Sequence, residues 1–561
     1  MVTASGRQLS VADVVGAAIA AQGTRAAFGV LGSGNLVVTN ALRRGGVAFH
    51  HARHEGGAVC MADGYARVTG EVGICSVHQG PGLTNTLTGL TEAAKSRTPM
   101  LVLAGEAPAA ALTSNFRIAQ DDLVQAVGAG ADRIFTGSSA AADAIRAYRR
   151  AQLERRPIVL MLPIDIQAQP AADENRGVGS RAPASPIPSP PMPSAAAIAA
   201  AADLLVAARR PVMIAGRGAV LADAREPIER LAALTGALLA TSAPANGLFT
   251  GLPFALGISG GFASPRAAEL LAQADLVILF GASANHWTTK HGALVADDAR
   301  IVQIDLEPAA IGRHLAVDAG LVGDVAETAR ALHDELRRRD HHNAGLRTPE
   351  VATAIAAGSW PHVAYDDQGH DGWIDPRTLS IELERRLPVN RAVAVDSGHS
   401  LGYPAMYLSV PDARAWVFPN GFQSVGLGLG NAIGAAIANP DRVTVAALGD
   451  GGTFMALAEI ETAVRLGLRL LIVIYDDSAY GAEVHHFEPL GHDVDAVRFP
   501  DSDLAAIARA AGAEGVTVRA VQDLAALDGW LDRSPSRPLV LDAKVNPTVC
   551  AEWLAEAFRG G

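Results

Sequence analysis

Asp450 and Asp477 each stand just beyond an apolar run, and that placement is the clearest chemical signal in the chain. Val443 to Leu448 reads as a buried strand, with Gly449-Asp450-Gly451-Gly452 as the tight turn after it. A helical segment follows, with Ala456, Ile460, Ala463 and Val464 at helical spacing and Glu459, Glu461 and Arg465 free to face water. Gly467 is placed to end that helix. Leu470 to Tyr475 reads as the next parallel strand and runs into Asp476-Asp477. Open parallel sheets bind ligands at the carboxyl ends of their strands. Glycines there let backbone N–H groups approach an anion, and a helix N-terminus favours negative charge. Carboxylates beside a phosphate repel it unless a hard divalent cation lies between them, and Mg²⁺ prefers such oxygen ligands. The pattern points to a Mg²⁺-bound diphosphate. Without the strands around it, the same turn would be an ordinary acidic surface loop.

This stretch resembles the cofactor motif of thiamine diphosphate (ThDP) enzymes, a Gly-Asp-Gly followed after a set interval by an Asn pair. Here 24 residues separate Gly451 from Asp476. The resemblance implies that Asp450, Asp477 and the backbone carbonyl of Ala479 hold the metal, with Gly451 and Gly452 at the diphosphate. Asp477 replaces the family's metal-binding Asn. A carboxylate still ligates Mg²⁺ but adds charge near the diphosphate.

Other residues take meaning from the same resemblance. Glu55, in His51-Ala52-Arg53-His54-Glu55-Gly56-Gly57, follows a strand and opens a helix. Alone it is a helix-terminal carboxylate favoured by the dipole. By resemblance it is the glutamate that contacts N1′ of the cofactor's aminopyrimidine and shares a proton with it. His78-Gln79-Gly80-Pro81-Gly82-Leu83-Thr84-Asn85 resembles the family's Gly-Pro-Gly-x-x-Asn loop. His78 and Gln79 fall where active-site side chains point, His78 at the position of a histidine in benzoylformate decarboxylase-like members. Ser33 similarly matches a substrate-contacting position. Gly398, His399 and Ser400 resemble a segment that touches the diphosphate, and Val425 the apolar wedge that bends the cofactor. Val425 reads equally well as a core valine. Tyr480, Glu483, His485 and His486 lie in the segment that covers the active site in this family, and His286 could approach from the middle of the chain. Gly216-Arg217-Gly218 resembles the flavin loop of acetolactate synthases. Those synthases carry Arg-Phe-Asp-Asp farther on, where this chain reads Gly281-Ala282-Ser283-Ala284-Asn285-His286-Trp287, which counts against FAD.

The elements that must position these residues alternate between strand and helix. In residues 1–170 strands are expected at Ala26 to Val30, Val47 to His50, Val72 to Val77, Met100 to Ala104 and Pro157 to Leu162. Helices are expected from Glu55 to about Gly70 and from Leu83 to Ser96. Residues 196–340 hold strands at Pro211 to Ala215, Leu276 to Phe280 and Arg300 to Ile304, with helices at 195–208 and 222–236. Residues 369–552 contain the metal-binding stretch and a strand at Ala392 to Val395. Segment 168–195, rich in Pro, Ala and Ser, and the polar segment 341–368 read as linkers. The expected fold is α/β, with three doubly wound parallel-sheet domains: pyrimidine-binding, central and diphosphate-binding. No repeat between the first and third is visible in the sequence.

Bulk properties narrow the function. The 561 residues are 49% hydrophobic and 19% charged, as in a globular protein with large cores. A net charge of −12 argues against nucleic acid, and no apolar run is long enough to span a membrane. Three scattered cysteines, Cys60, Cys75 and Cys550, suggest a reducing cytoplasm. The expectation is a ThDP- and Mg²⁺-dependent enzyme acting on a small 2-oxo acid, an acetolactate synthase-like carboligase. The alternatives are a simple decarboxylase of the benzoylformate type and a non-catalytic protein of the same fold. Glu55 and Asp450 lie in different domains, and the family joins them across subunits. A homodimer or homotetramer is expected, with active sites at the subunit interface.

Overall fold

Runs rich in Val, Ile and Leu become central strands here because helices cover both faces of each sheet. The structure is a computed structural model that describes residues 8–171, 188–370, 372–533 and 536–558. Most of the expected linker 168–195 lies outside the described residues. Among the described residues the strands form three parallel six-stranded sheets. The first comprises β1 Ala26–Gly29, β2 Ala48–His51, β3 Gly73–Val77, β4 Met100–Glu106, β5 Gly130–Arg133 and β6 Pro157–Pro163, ordered β2-β1-β3-β4-β6-β5. The second comprises β7 Pro211–Ala215, β8 Leu238–Thr241, β9 Ala255–Ile258, β10 Leu276–Phe280, β11 Arg300–Asp305 and β12 Ala319–Val322, ordered β12-β11-β10-β7-β8-β9. The third comprises β13 Arg391–Val395, β14 Trp416–Val417, β15 Val443–Gly449, β16 Leu470–Asp476, β17 Glu514–Val518 and β18 Leu539–Lys544, ordered β14-β13-β15-β16-β18-β17. Counted from its own first strand, the third sheet repeats the order of the first. The fold is therefore the expected α/β arrangement of three doubly wound sheets, with a duplicated topology that the sequence does not display.

The first and third sheets share one hydrophobic core. At its centre the Glu55–Thr69 helix packs against the Gly428–Ala438 helix. The two backbones nearly touch: a Cβ on Gly64 would collide with the Asn431 carbonyl, and one on Gly434 with the Met61 carbonyl. Buried Arg67 reinforces the junction. Its guanidinium donates to Asp63 at 2.9 Å, Glu92 at 2.9 Å and the Phe418 carbonyl at 3.0 Å, while Glu92 also accepts from the Phe422 N–H at 2.7 Å. A buried charge is tolerated only when paired in this way.

Some elements differ from the sequence reading. The Leu83–Ser96 helix is two pieces, Pro81–Thr84 and Leu87–Lys95. Segment 341–368 is not irregular throughout, because Thr348 caps a helix at Pro349–Ala357 with Pro in its first turn. Glu459 does not face water but is 2% exposed. The C-terminal helix Glu552–Ala557 docks back onto the middle unit. Trp553 lies edge-on to Phe262 and Trp287, and the His291 Nε2–H donates to the Glu556 carbonyl at 2.9 Å. No helix among the described residues is long and apolar enough to cross a membrane.

Candidate active site

The carboxyl ends of β1, β2 and β3 carry Ser33, Glu55 and His78. Glu55 is the first residue of its helix. His54 is the N-cap, its Nδ1 accepting from the Gly56 N–H at 3.0 Å. The Asn85 amide donates to Glu55 Oε2 at 2.9 Å, so the loop that follows β3 orients the carboxyl group. Glu55 is half-buried beside a cavity of about 220 Å³ whose lining includes Val30, Leu31, His78 and Phe116. His78 Nδ1 lies 3.0 Å from the Gln79 carbonyl, which can only accept, so Nδ1 carries the hydrogen. In the neutral ring Nε2 then accepts from the Ser33 hydroxyl at 3.3 Å. Phe116 packs on the ring at 5.2 Å between centroids. The sequence reading passed over Phe116. Its signal is a lone aromatic in the polar run Ser114-Asn115-Phe116-Arg117, left 42% exposed by the fold. Gln79 points elsewhere. It is buried against Gly34 and Gly105, its Oε1 has no hydrogen-bond partner among the described residues, and it is not among the cavity's lining residues.

The third sheet presents the carboxylates. β15 and β16 pair in register up to Gly449 and Tyr475, so Asp450 and Asp477 leave adjacent strand ends. Burial first, then the charges of Asp477 and Asp476, push the Asp450 carboxyl well above the usual carboxylate range. A divalent cation would relieve that repulsion. Among the described residues no group of three or more His, Cys, Asp or Glu side chains is placed to hold a metal. A cation here would take two carboxylates, a backbone carbonyl and oxygens from the cofactor, a hard donor set that fits Mg²⁺. Ser478 adopts a left-handed conformation, φ +53°, and its N–H and hydroxyl donate to Asp476. This bend sets the direction of Ala479. Asp476 itself turns inward to the buried Lys544 ammonium at 2.6 Å, which Asp501 at 2.7 Å and Asp542 at 3.2 Å also flank.

The remaining candidates fall around this pair. Gly398, φ +98°, turns the chain after β13, and Ser400 faces Gly449. His399 Nε2 accepts from the Ala551 N–H at 3.2 Å, which leaves the Nδ1 hydrogen directed at Asp477, 3.5 Å away. Val425 sits between left-handed Gln423 and Gly426 and abuts Gly452, where a side chain would also strike Asp396. Asp396 accepts the backbone N–H groups of Gly426, Leu427 and Gly428 and so anchors this bulge. Tyr480 packs on Phe499 and over Gly451. His485 lies tilted against His399 at 4.5 Å between ring centroids, and burial, then the His399 charge, pushes its pKa down to about 4. His486 stacks on Phe558 at 3.9 Å. Both histidines line a second cavity of about 330 Å³ with Cys550, Leu554 and Phe558. Glu483 is exposed on the same helix, whereas His286 stacks on His291 and lines neither cavity.

A half-buried carboxyl thus stands at one sheet's helix start and a carboxylate pair at another's strand ends. Comparison with known families is more specific. Residues 9–126 match the thiamine pyrophosphate enzyme N-terminal TPP binding domain, residues 198–332 the central domain and residues 396–541 the C-terminal TPP binding domain. The chain belongs to the thiamine pyrophosphate enzymes. Its relatives include a sulfoacetaldehyde acetyltransferase of Alcaligenes xylosoxydans xylosoxydans, 29% identical over 96% of this chain and 92% of the relative. They also include a probable 2-ketoarginine decarboxylase of Pseudomonas aeruginosa, 30% identical over 91% of this chain and 89% of the relative. A solved thiamine diphosphate-dependent 4-hydroxybenzoylformate decarboxylase of Rhodococcus jostii RHA1 shares the fold, with a TM-score of 0.80, 20% identity and coverage of 96% and 99%.

Proposed function

We propose that this enzyme uses ThDP and Mg²⁺ to decarboxylate a 2-oxo acid and join the remaining acyl fragment to a second carbonyl compound. The observation that carries this reading is Glu55, oriented by Asn85 at the edge of a cavity. When bound, ThDP would supply a nucleophilic carbon and an electron sink. The protein supplies the rest. Glu55 would hold a proton at the aminopyrimidine, with Asn85 fixing the carboxyl. Asp450, Asp477 and the Ala479 carbonyl would hold Mg²⁺ against the diphosphate, and Gly451 and Gly452 would leave room for it. Val30, Leu31 and Phe116 present an apolar wall to the donor's side chain and exclude water. His485 and His486 would shape acceptor choice from the second cavity.

Carboligation ranks first because acetyltransferases and acetolactate synthases recur among the relatives. The His78–Ser33 pair favours a second reading, simple decarboxylation, because a histidine at the cavity can deliver the proton that releases an aldehyde. We take the domain limits as 1–170, 196–340 and 369–552. The deciding experiment is a panel of 2-oxo acids assayed for CO₂ release with ThDP and Mg²⁺, with and without acceptor aldehydes or oxo acids. Coupled products support carboligation, free aldehyde alone supports decarboxylation, and cofactor binding without CO₂ release would sink both.

A further inference from the structure

We infer that Glu459 is a positioning residue for Glu55, acting across the junction between the first and third sheets; this rests on the cofactor reading above. Glu459 opens the Glu459–Arg465 helix, shortly after the Asp450–Met455 helix of the metal-binding turn. Its carboxylate is buried and aimed at the chain just ahead of Glu55. Oε1 accepts from the Arg53 N–H at 3.1 Å and the His54 N–H at 3.0 Å, and Oε2 from the Thr462 hydroxyl at 2.7 Å. Gly57 leaves space for it, since a Cβ there would collide with Oε1. The same helix grips this loop twice more. Glu461 pairs with the Arg53 guanidinium at 2.6 Å, and Arg465 donates to the His51 carbonyl at 2.7 Å.

Surface ion pairs such as Arg53–Glu461 contribute little. A buried carboxylate receiving two backbone N–H groups is a different case, because charge-assisted hydrogen bonds are short, directional and strong. His51, Arg53 and His54 are thus fixed from the third sheet, and Glu55 is the next residue. The Asn85 contact sets the end of the Glu55 side chain, and Glu459 sets its root. Misplacing a positioned group by about 1 Å can cost on the order of 10²-fold in rate.

Glu459→Gln keeps the shape but removes the charge and one acceptor. Three measurements on the full-length protein test the role. In the cofactor-free protein, amide hydrogen exchange over residues 51–58 should rise. With ThDP and Mg²⁺ bound, affinity should stay within about threefold while exchange of the thiazolium C2 hydrogen slows by about 10–100-fold. Adding Glu55→Gln to Glu459→Gln should slow exchange no further than Glu55→Gln alone, as expected for residues that act through one group. C2 exchange at the wild-type rate per bound cofactor would overturn the inference, even if Tm falls. Should Glu459→Gln fail to fold, Thr462→Val, which loses the hydroxyl that orients Oε2 and accepts from Arg465, must still slow C2 exchange, and a normal rate there overturns the role equally. If wild-type protein binds no ThDP, the cofactor reading itself fails; a bound cofactor with normal exchange in the variants removes Glu459 alone.

Discussion

Asp477 differs from the family's Asn by one oxygen in place of a nitrogen, and His399 beside it directs a ring hydrogen toward that oxygen. Asp477→Asn should therefore keep ThDP and Mg²⁺ binding, with affinity within about tenfold, because the amide oxygen still ligates. Asp450→Ala should weaken binding by at least about 100-fold, beyond the usual cost of losing an outer partner. Titration calorimetry with ThDP at fixed Mg²⁺ compares the two, and the opposite ranking would overturn the ligand assignment. Chelating the metal should release ThDP from the wild type, and adding Mg²⁺ should restore binding. For His78→Ala, turnover should fall by about 10²–10⁴-fold with near-normal ThDP affinity. If His78 merely packs under Phe116, Tm falls instead and turnover per folded molecule stays normal. At this scale the sequence exposed the carboxylates, because each follows an apolar run. It hid Glu459, since a helix-face glutamate looks solvated until a second sheet supplies the N–H groups it accepts. It also misdirected attention to Gln79, whose neighbour His78 points into the cavity while Gln79 packs behind it.

Among the elements, the strands missing from the sequence reading are mostly those at sheet margins: β5, β9, β12, β14 and β17. These strands are short and, apart from the two buried residues of β14, partly exposed, so their apolar pattern is weak. Two interior strands were also missed: β8, only four residues long, and β18, for another reason. β18 is fully buried, but Asp542 and Lys544 interrupt its run because they belong to the ion cluster with Asp476. That cluster yields a prediction. Lys544→Met would leave Asp476 and Asp542 buried without a cation, and removing one partner of a buried pair costs about 3–5 kcal/mol. Thermal unfolding should show a large drop in Tm, and an unchanged Tm would mean the carboxylates are protonated or hydrated instead. The close helix crossing makes a parallel case. Gly434→Ala places a methyl group into the Met61 backbone, and overpacking of this kind costs about 1–3 kcal/mol. The crossing was invisible in sequence because glycines in a helix signal nothing until their partner helix is known.

For the whole molecule, the cavity at Glu55 is lined by the first unit alone, while the carboxylate pair belongs to the third. If two chains build each site, Glu55→Gln and Asp450→Ala proteins should each be inactive yet complement one another when mixed and refolded. Random pairing places both lesions in one site of each heterodimer and leaves the other intact, restoring about a quarter of wild-type activity. No recovery, or a monomeric mass at full activity by light scattering, would refute the shared site. The segment-level order of three α/β units was legible from the rhythm of apolar runs. The repeated strand order of the first and third sheets was not, because topology is conserved by packing rules rather than by residue identity.

The docking of the C-terminal helix has a spectroscopic consequence. Trp553 rides on that helix and meets Trp287 at 5.6 Å, edge to face, with Phe262 closing the cluster. Indole emission is sensitive to water, so lifting the tail would expose one fluorophore and unshield another. Intrinsic fluorescence thus reports on the docking of the helix whose Leu554 lines the cavity beside His485 and His486, readable in a stopped-flow instrument without any label. Trp553→Phe would remove the tail's own contribution to the signal while leaving the aromatic seat filled.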